Sequence, residues 1–127
     1  MHLTLLDRSR GMAEQARAKA AAAGLADRVS VVCGGLEMAH PAHLGGRTFD
    51  ACVSTLTFHH VADPRGVAAL LFSYLNEGGV ICILDMVTQD DSVGFHAGAP
   101  PEQVADVKQH GFSEQELQDV LRTAGFR

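Results

Sequence analysis

Apolar residues in this chain come in short blocks, and the spacing inside each block predicts its element. The longest ordered series runs from Phe49 to Val87. Phe49-Asp50 leads into Ala51-Cys52-Val53-Ser54-Thr55, a short apolar run of residues that suit a pleated surface, which predicts a strand. Asp63 is placed to cap a helix with Pro64 at its first position. Val67, Leu70, Leu71, Tyr74 and Leu75 then recur at helical spacing and form one apolar face. Asn76-Glu77-Gly78-Gly79 is expected to end that helix, because glycine takes the left-handed conformation at little cost. Val80-Ile81-Cys82-Ile83-Leu84 follows without a polar break, the pattern of a parallel strand covered on both faces. The three elements make a βαβ unit with an expected right-handed crossover.

The rest of the chain is read in the same way. His2 to Leu6 predicts a strand ending at Asp7, and Ser9 can cap a helix from Arg10 to about Ala23. Met12, Ala16, Ala20 and Ala23 give that helix a thin stripe suited to close packing, and Gly24 stops it. Val29 to Cys33 is a further strand, followed by Gly34-Gly35. Leu36 to Thr48 offers only a short helical turn and a Gly45-Gly46 loop. Thr88 to Gly111 is irregular, with a candidate short helix over Glu102–Gln109. A stretch of that length is expected to be a lid, a substrate-binding segment or disordered. Ser113-x-x-Glu116 is a capping box, with Phe112 and Leu117 as the hydrophobic staple around it. Val120, Leu121 and Ala124 continue the apolar face, and Gly125 closes the helix.

Bulk properties narrow the class. A chain of 127 residues is expected to form one domain with a core of its own. A net charge of -5 with no basic cluster argues against nucleic acid or an anionic membrane as the main partner. Nothing approaches a membrane-spanning run, and Met1 is not followed by a signal peptide. Cys33, Cys52 and Cys82 each fall in or at the end of a predicted strand. An odd count without metal-type spacing predicts buried free thiols in a reducing compartment, with the cytoplasm as the expected location.

One ordered set of features resembles a known family. Phe-Asp before a strand, His59-His60 after it, Asp63-Pro64 opening a helix and Leu75-x-x-Gly78-Gly79 before the next strand resemble class I S-adenosylmethionine (SAM)-dependent methyltransferases. Glu77 stands where that family commonly has proline. The segment from Gly111 to Phe126 resembles the family helix that precedes a final β-hairpin, and the chain ends at Arg127 before such a hairpin. The resemblance implies an α/β fold, Rossmann-like, with a mostly parallel sheet and flanking helices, incomplete relative to the full methyltransferase fold. The family also begins with a strand and a glycine-rich loop that this sequence lacks. That strand belongs between Leu3–Leu6 and Ala51–Thr55, so its absence implies a gap of roughly 10 Å unless those two strands close up and pair. Truncation is the favoured explanation, ahead of a partner chain completing the sheet or a rearranged sheet.

Candidate site residues follow, each with an alternative. Asp7 ends the first strand, where ligands bind in open α/β sheets and where an acid can accept both ribose hydroxyls of a nucleotide. By resemblance it matches the ribose-binding acid, and Arg8 borders the adenine. The other reading is that Asp7 favours the helix amino terminus through its charge. Gly35 stands where the family often has an adenine-contacting acid. Glu37 can substitute, the backbone of Gly35 and Leu36 can make the contact, or the segment is a plain turn. Ser54, Thr55 and Leu56 lie at the strand end that faces the cofactor in the family, or are strand-end packing. His59 and His60, in an extended segment, would point in opposite directions. One is a candidate general base, since histidine titrates near neutrality, with a structural role weighed equally. His40 and His43 have an HxxH spacing near Cys33, but Pro41 and the glycines give no sustained helix. No CxxC or HExxH occurs, so no metal site is expected. His96 and His110 are candidates for substrate contact or plain loop residues.

The resulting expectation is transfer of a methyl group from SAM to a small-molecule substrate. Two other readings stand beside it. One is a non-catalytic methyltransferase-like binding or regulatory module. The other is a nicotinamide-dependent oxidoreductase, since an acid after the second strand of a full fold, here Asp7, also suits that ribose.

Overall fold

The computed structural model describes residues 1–35, 44, 46–88 and 111–127. They group into two compact units, Met1–Arg47 and Thr48–Arg127.

In the first unit, β1 (Leu3–Asp7) and β2 (Val29–Cys33) pair in parallel, from Leu3 opposite Val29 to Asp7 opposite Cys33. Helix α1 (Arg10–Ala22) connects them, capped by the Ser9 hydroxyl, which accepts from the Met12 amide at 3.3 Å. A short 3-10 turn at Ala26–Arg28 leads into β2. The packed stripe of α1 keeps Ala16 and Ala20 of the predicted one, both half-buried, and takes in Ala13 in place of Met12 and Ala23. Ala13 is fully buried and Met12 is exposed. The small side chain lets the helix backbone approach the strands closely, which a methionine at that angle would prevent.

The second unit contains β3 (Phe49–Thr55), a 3-10 turn at Phe58–His60, α2 (Pro64–Ser73), β4 (Leu75–Leu84) and α3 (Glu114–Ala124). Asp63 caps α2 as predicted, its Oδ1 accepting from the Gly66 amide at 2.9 Å. The end of α2 differs from expectation. The helix stops at Ser73, and Leu75 to Gly79 belong to β4. Pairing with β3 takes over that segment: the Phe49 amide donates to the Tyr74 carbonyl at 2.8 Å, and Phe49 pairs with Leu75. The extra residues of β4 produce a register shift between Phe49 and Ala51, and Gly78 absorbs it with a φ of 76°.

The core of this unit is Phe58, Ala68, Phe112 and Val120, with Val67, Leu71, Ile83, Leu117, Leu121 and Ala124 packed on it. Phe58 and Phe112 meet edge to face, ring centroids 6.5 Å apart. The predicted capping box of α3 is present in full, with Ser113 and Glu116 bonding reciprocally. Before it, Val87 and Phe112 form a parallel bridge, and Gly111 sits at φ 128° where a Cβ would lie 2.7 Å from the Met86 carbonyl oxygen.

The described strands therefore form two separate two-stranded parallel sheets, β1–β2 and β3–β4. This is an α/β, Rossmann-like arrangement with parallel strands and flanking helices, incomplete relative to a full fold. Two further expectations are corrected. β4 is not covered on both faces, since Val80 and Leu84 are exposed. Cys33 and Cys82 are exposed and Cys52 is half-buried, so the free thiols are not all interior. In both cases the unbroken apolar run fixed the strand but not which neighbour lies over it. Among the described residues no helix is long and apolar enough to cross a membrane.

Candidate functional site

Each unit brings one cluster of candidate residues to the carboxyl ends of its strands, where open α/β sheets bind ligands. In the first unit these are Asp7, Arg8, Gly34 and Gly35. Asp7 ends β1 with an exposed side chain, and its Oδ1 accepts from the Ser9 amide at 2.8 Å. That bond orients the carboxylate and ties it to the start of α1. The Gly34 amide donates to the Asp7 carbonyl at 2.9 Å, and the Cys33 thiol lies 3.8 Å from the Arg8 carbonyl. The ends of the two strands are thus joined by backbone as well as by register. Arg8 is exposed, and Gly35 is buried. Leu36, Glu37, His40, His43, His96 and His110 lie outside the described residues, as does the candidate helix at 102–109.

In the second unit the candidate site residues end β3 and follow it. Ser54 is half-buried and Thr55 exposed. Leu56 adopts a φ of 49°, a left-handed conformation uncommon for a residue other than glycine. Its amide donates to the Leu84 carbonyl at 2.8 Å, and the Thr57 hydroxyl donates to the Thr55 carbonyl at 3.0 Å. The chain then turns through Phe58–His60. The two histidines do not point in opposite directions as expected. A 3-10 turn replaces the extended segment, and their ring centroids are 4.1 Å apart.

His59 is buried, 3% exposed, and its Nδ1 lies 2.7 Å from Oδ1 of Asp85, whose side chain is 2% exposed. A carboxylate oxygen only accepts, so the imidazole donates from Nδ1. The same carboxylate accepts from the Phe58 amide through Oδ2 at 2.8 Å and from the Met86 amide through Oδ1 at 2.8 Å. Asp85 was missed in the sequence. The available signal was its position, an acid that closes an unbroken apolar run, as Asp7 closes the run of β1.

The described residues also enclose an open depression of about 310 Å³ between Phe72 and the Leu75–Gly79 segment. It lies at the amino end of β4, the end opposite these residues. Among the described residues no three histidine, cysteine, aspartate or glutamate side chains gather as a metal site would require.

Known proteins share this fold. The family described as methyltransferase domain matches residues 1–83. An uncharacterised methyltransferase of Schizosaccharomyces pombe is 29% identical over 79 residues, covering 60% of this chain and 27% of its own. The solved structure of a protein assigned as a methyltransferase from Bacillus halodurans superposes with a TM-score of 0.76 at 18% identity, covering 98% of this chain and 53% of that one. The structure of the 4+2 cyclase SpnF superposes with a TM-score of 0.74 at 18% identity, covering 98% and 42%. The chain thus spans about half or less of the length of the proteins it resembles.

Proposed function

The chain belongs to the methyltransferase domain family, and from that premise we propose that it is the cofactor-binding portion of a SAM-dependent enzyme that methylates a small molecule. The observation that carries this reading is Asp7, an exposed carboxylate held in place at the carboxyl end of a parallel strand.

The residues present fit the cofactor. A carboxylate offers about four lone-pair positions. The Ser9 amide takes up one on Oδ1, which leaves capacity for a vicinal diol. Gly35 has no side chain to stand between its backbone and a flat ring. Bound SAM supplies an electrophilic methyl group on a sulfonium. The protein's own contribution is then mainly alignment. In the first unit Asp7 orients the ribose, and Arg8 and the backbone of Gly35 border the adenine; Ser54, Thr55 and Leu56, in the second unit, are assigned to the cofactor by the family resemblance alone. Holding an acceptor in line and close supplies most of the acceleration in such a transfer. A base is needed only where the acceptor carries a proton to remove, and His60, half-buried on the turn, is the more accessible of the two candidates.

Calorimetric titration with S-adenosylhomocysteine tests the proposal. A folded chain is expected to bind it, and Asp7→Ala is expected to weaken binding by about tenfold or more, as loss of a hydrogen bond to a charged group would. A folded chain with no affinity would overturn the reading. A second reading is favoured by the likeness to a cyclase, since a shared fold does not fix the chemistry. Under it the cofactor is bound and no methyl is transferred, which product analysis by mass spectrometry distinguishes. Cytoplasmic location and a partner chain that completes the sheet belong to the same proposal.

A further inference from the structure

We propose that Asp85 is a positioning residue for the turn between Thr55 and His60, acting through His59 and the Phe58 amide. The inference rests on the cofactor-binding reading above. Its geometry lies entirely within the second unit. Three bonds converge on one buried carboxylate: His59 Nδ1 at 2.7 Å, the Phe58 amide at 2.8 Å and the Met86 amide at 2.8 Å. Two come from the turn after β3 and one from the segment after β4. The carboxylate therefore fastens the end of one strand to the turn that leaves its neighbour.

The turn needs such a fastening. Leu56 is held at φ 49°, a conformation that persists only where the surroundings impose it. On its amino side the Leu56 amide is fixed to the Leu84 carbonyl. On its carboxyl side the hold is Phe58, whose side chain is fully buried in the core and whose amide is on Asp85. A carboxylate with 2% exposure is costly to bury, and only well-formed charge-assisted bonds offset that cost. A simple turn would not require it. His59, nearly as buried as Asp85, is on this reading the strut of the clamp rather than a group that meets substrate.

The experiment compares the 127-residue chain with Asp85→Asn and with Val120→Ala. Asp85→Asn keeps the volume but has one acceptor oxygen in place of two. Val120→Ala is a core variant that loses stability without touching the turn. Hydrogen exchange of the Leu56–His60 amides, followed by NMR without ligand, should quicken by about tenfold or more in Asp85→Asn relative to Val120→Ala under matched stability. The His59 ring proton signal should be lost in the same variant. Affinity for S-adenosylhomocysteine should fall by about tenfold in Asp85→Asn and stay near wild type in Val120→Ala. Unchanged exchange in the turn, or affinity equal in both variants, would overturn the proposal. A wild-type chain that binds no S-adenosylhomocysteine would sink the cofactor reading instead, and the exchange comparison would still decide the clamp.

Discussion

The β3–β4 sheet has two faces of similar composition and opposite surroundings. Cys52, Ser54, Ile81 and Ile83 share one face through their parallel register, and all are at least half-buried. Ile83 packs on the core that α2 and α3 supply. Ala51, Val53, Thr55, Val80, Cys82 and Leu84 share the other, and all six are exposed, Val53 at 74% and Leu84 at 63%. The strands carry the apolar side chains of a sheet covered twice, yet the described residues cover it once. An apolar run states a demand for cover on both sides and does not name what supplies it. Exposed apolar faces of this kind mark places where something else binds.

Substitutions on the two faces should differ most. Phe58→Ala empties the centre of the covered side and should cost about 3–5 kcal/mol. Against a typical total of about 5–15 kcal/mol, that leaves little or no folded chain. Val53→Thr on the open side should stay within about 0.5 kcal/mol, as surface changes do. Urea unfolding of both variants measures the contrast. Equal losses would break it, and would mean that the open face is covered in solution.

That contrast also explains what could be read from the sequence. Asp63-Pro64, Ser113-x-x-Glu116 and the apolar spacing of α2, β1, β2 and β4 depend on residues close together in the chain, and each was recognisable. The end of α2 was not. Tyr74 and Leu75 fit a helical face, but the ladder bond from Phe49, distant in sequence, draws Leu75 into β4. Asp7 could be picked out because it follows a strand and precedes a capped helix. Asp85 follows a strand too, but its hydrogen bonds come from Phe58 and His59, which lie on another element. A buried acid whose partners lie on another element leaves a weaker mark in the sequence than one set between a strand and a capped helix.

The cap of α3 supports only the covered face, so weakening it gives an intermediate effect. Ser113→Ala should cost about 1 kcal/mol. The effect should also depend on pH. Hydrogen bonds from the Ser113 backbone and hydroxyl hold the Glu116 carboxyl below its ordinary range. A carboxyl depressed on folding adds stability above its unfolded value and loses it as the pH falls through the folded one. Chemical denaturation at neutral and strongly acidic pH should therefore show the wild-type advantage over Ser113→Ala shrinking in acid. An advantage unchanged down to pH values below both carboxyl titrations would mean that the Glu116 half of the box contributes nothing.

The smallest perturbation reads the two faces without altering the fold. Cys82 lies on the open face opposite Val53, and Cys52 lies on the covered face opposite Ile81. The thiolate is the reactive form, so both access and acidity set the rate. Cys82 is exposed, while burial pushes the Cys52 thiol above its ordinary value, leaving it less thiolate at a given pH. Iodoacetamide at mildly alkaline pH, followed by peptide mass spectrometry, should label Cys82 at a rate near that of exposed Cys33, with Cys52 about tenfold slower or more. Denaturant should bring all three together. A slow Cys82 in the folded chain would show the open face shielded. Its rate could then be followed against protein concentration, where shielding that grows with concentration identifies a second copy of the chain as the cover. Shielding independent of concentration would assign the cover to the chain itself.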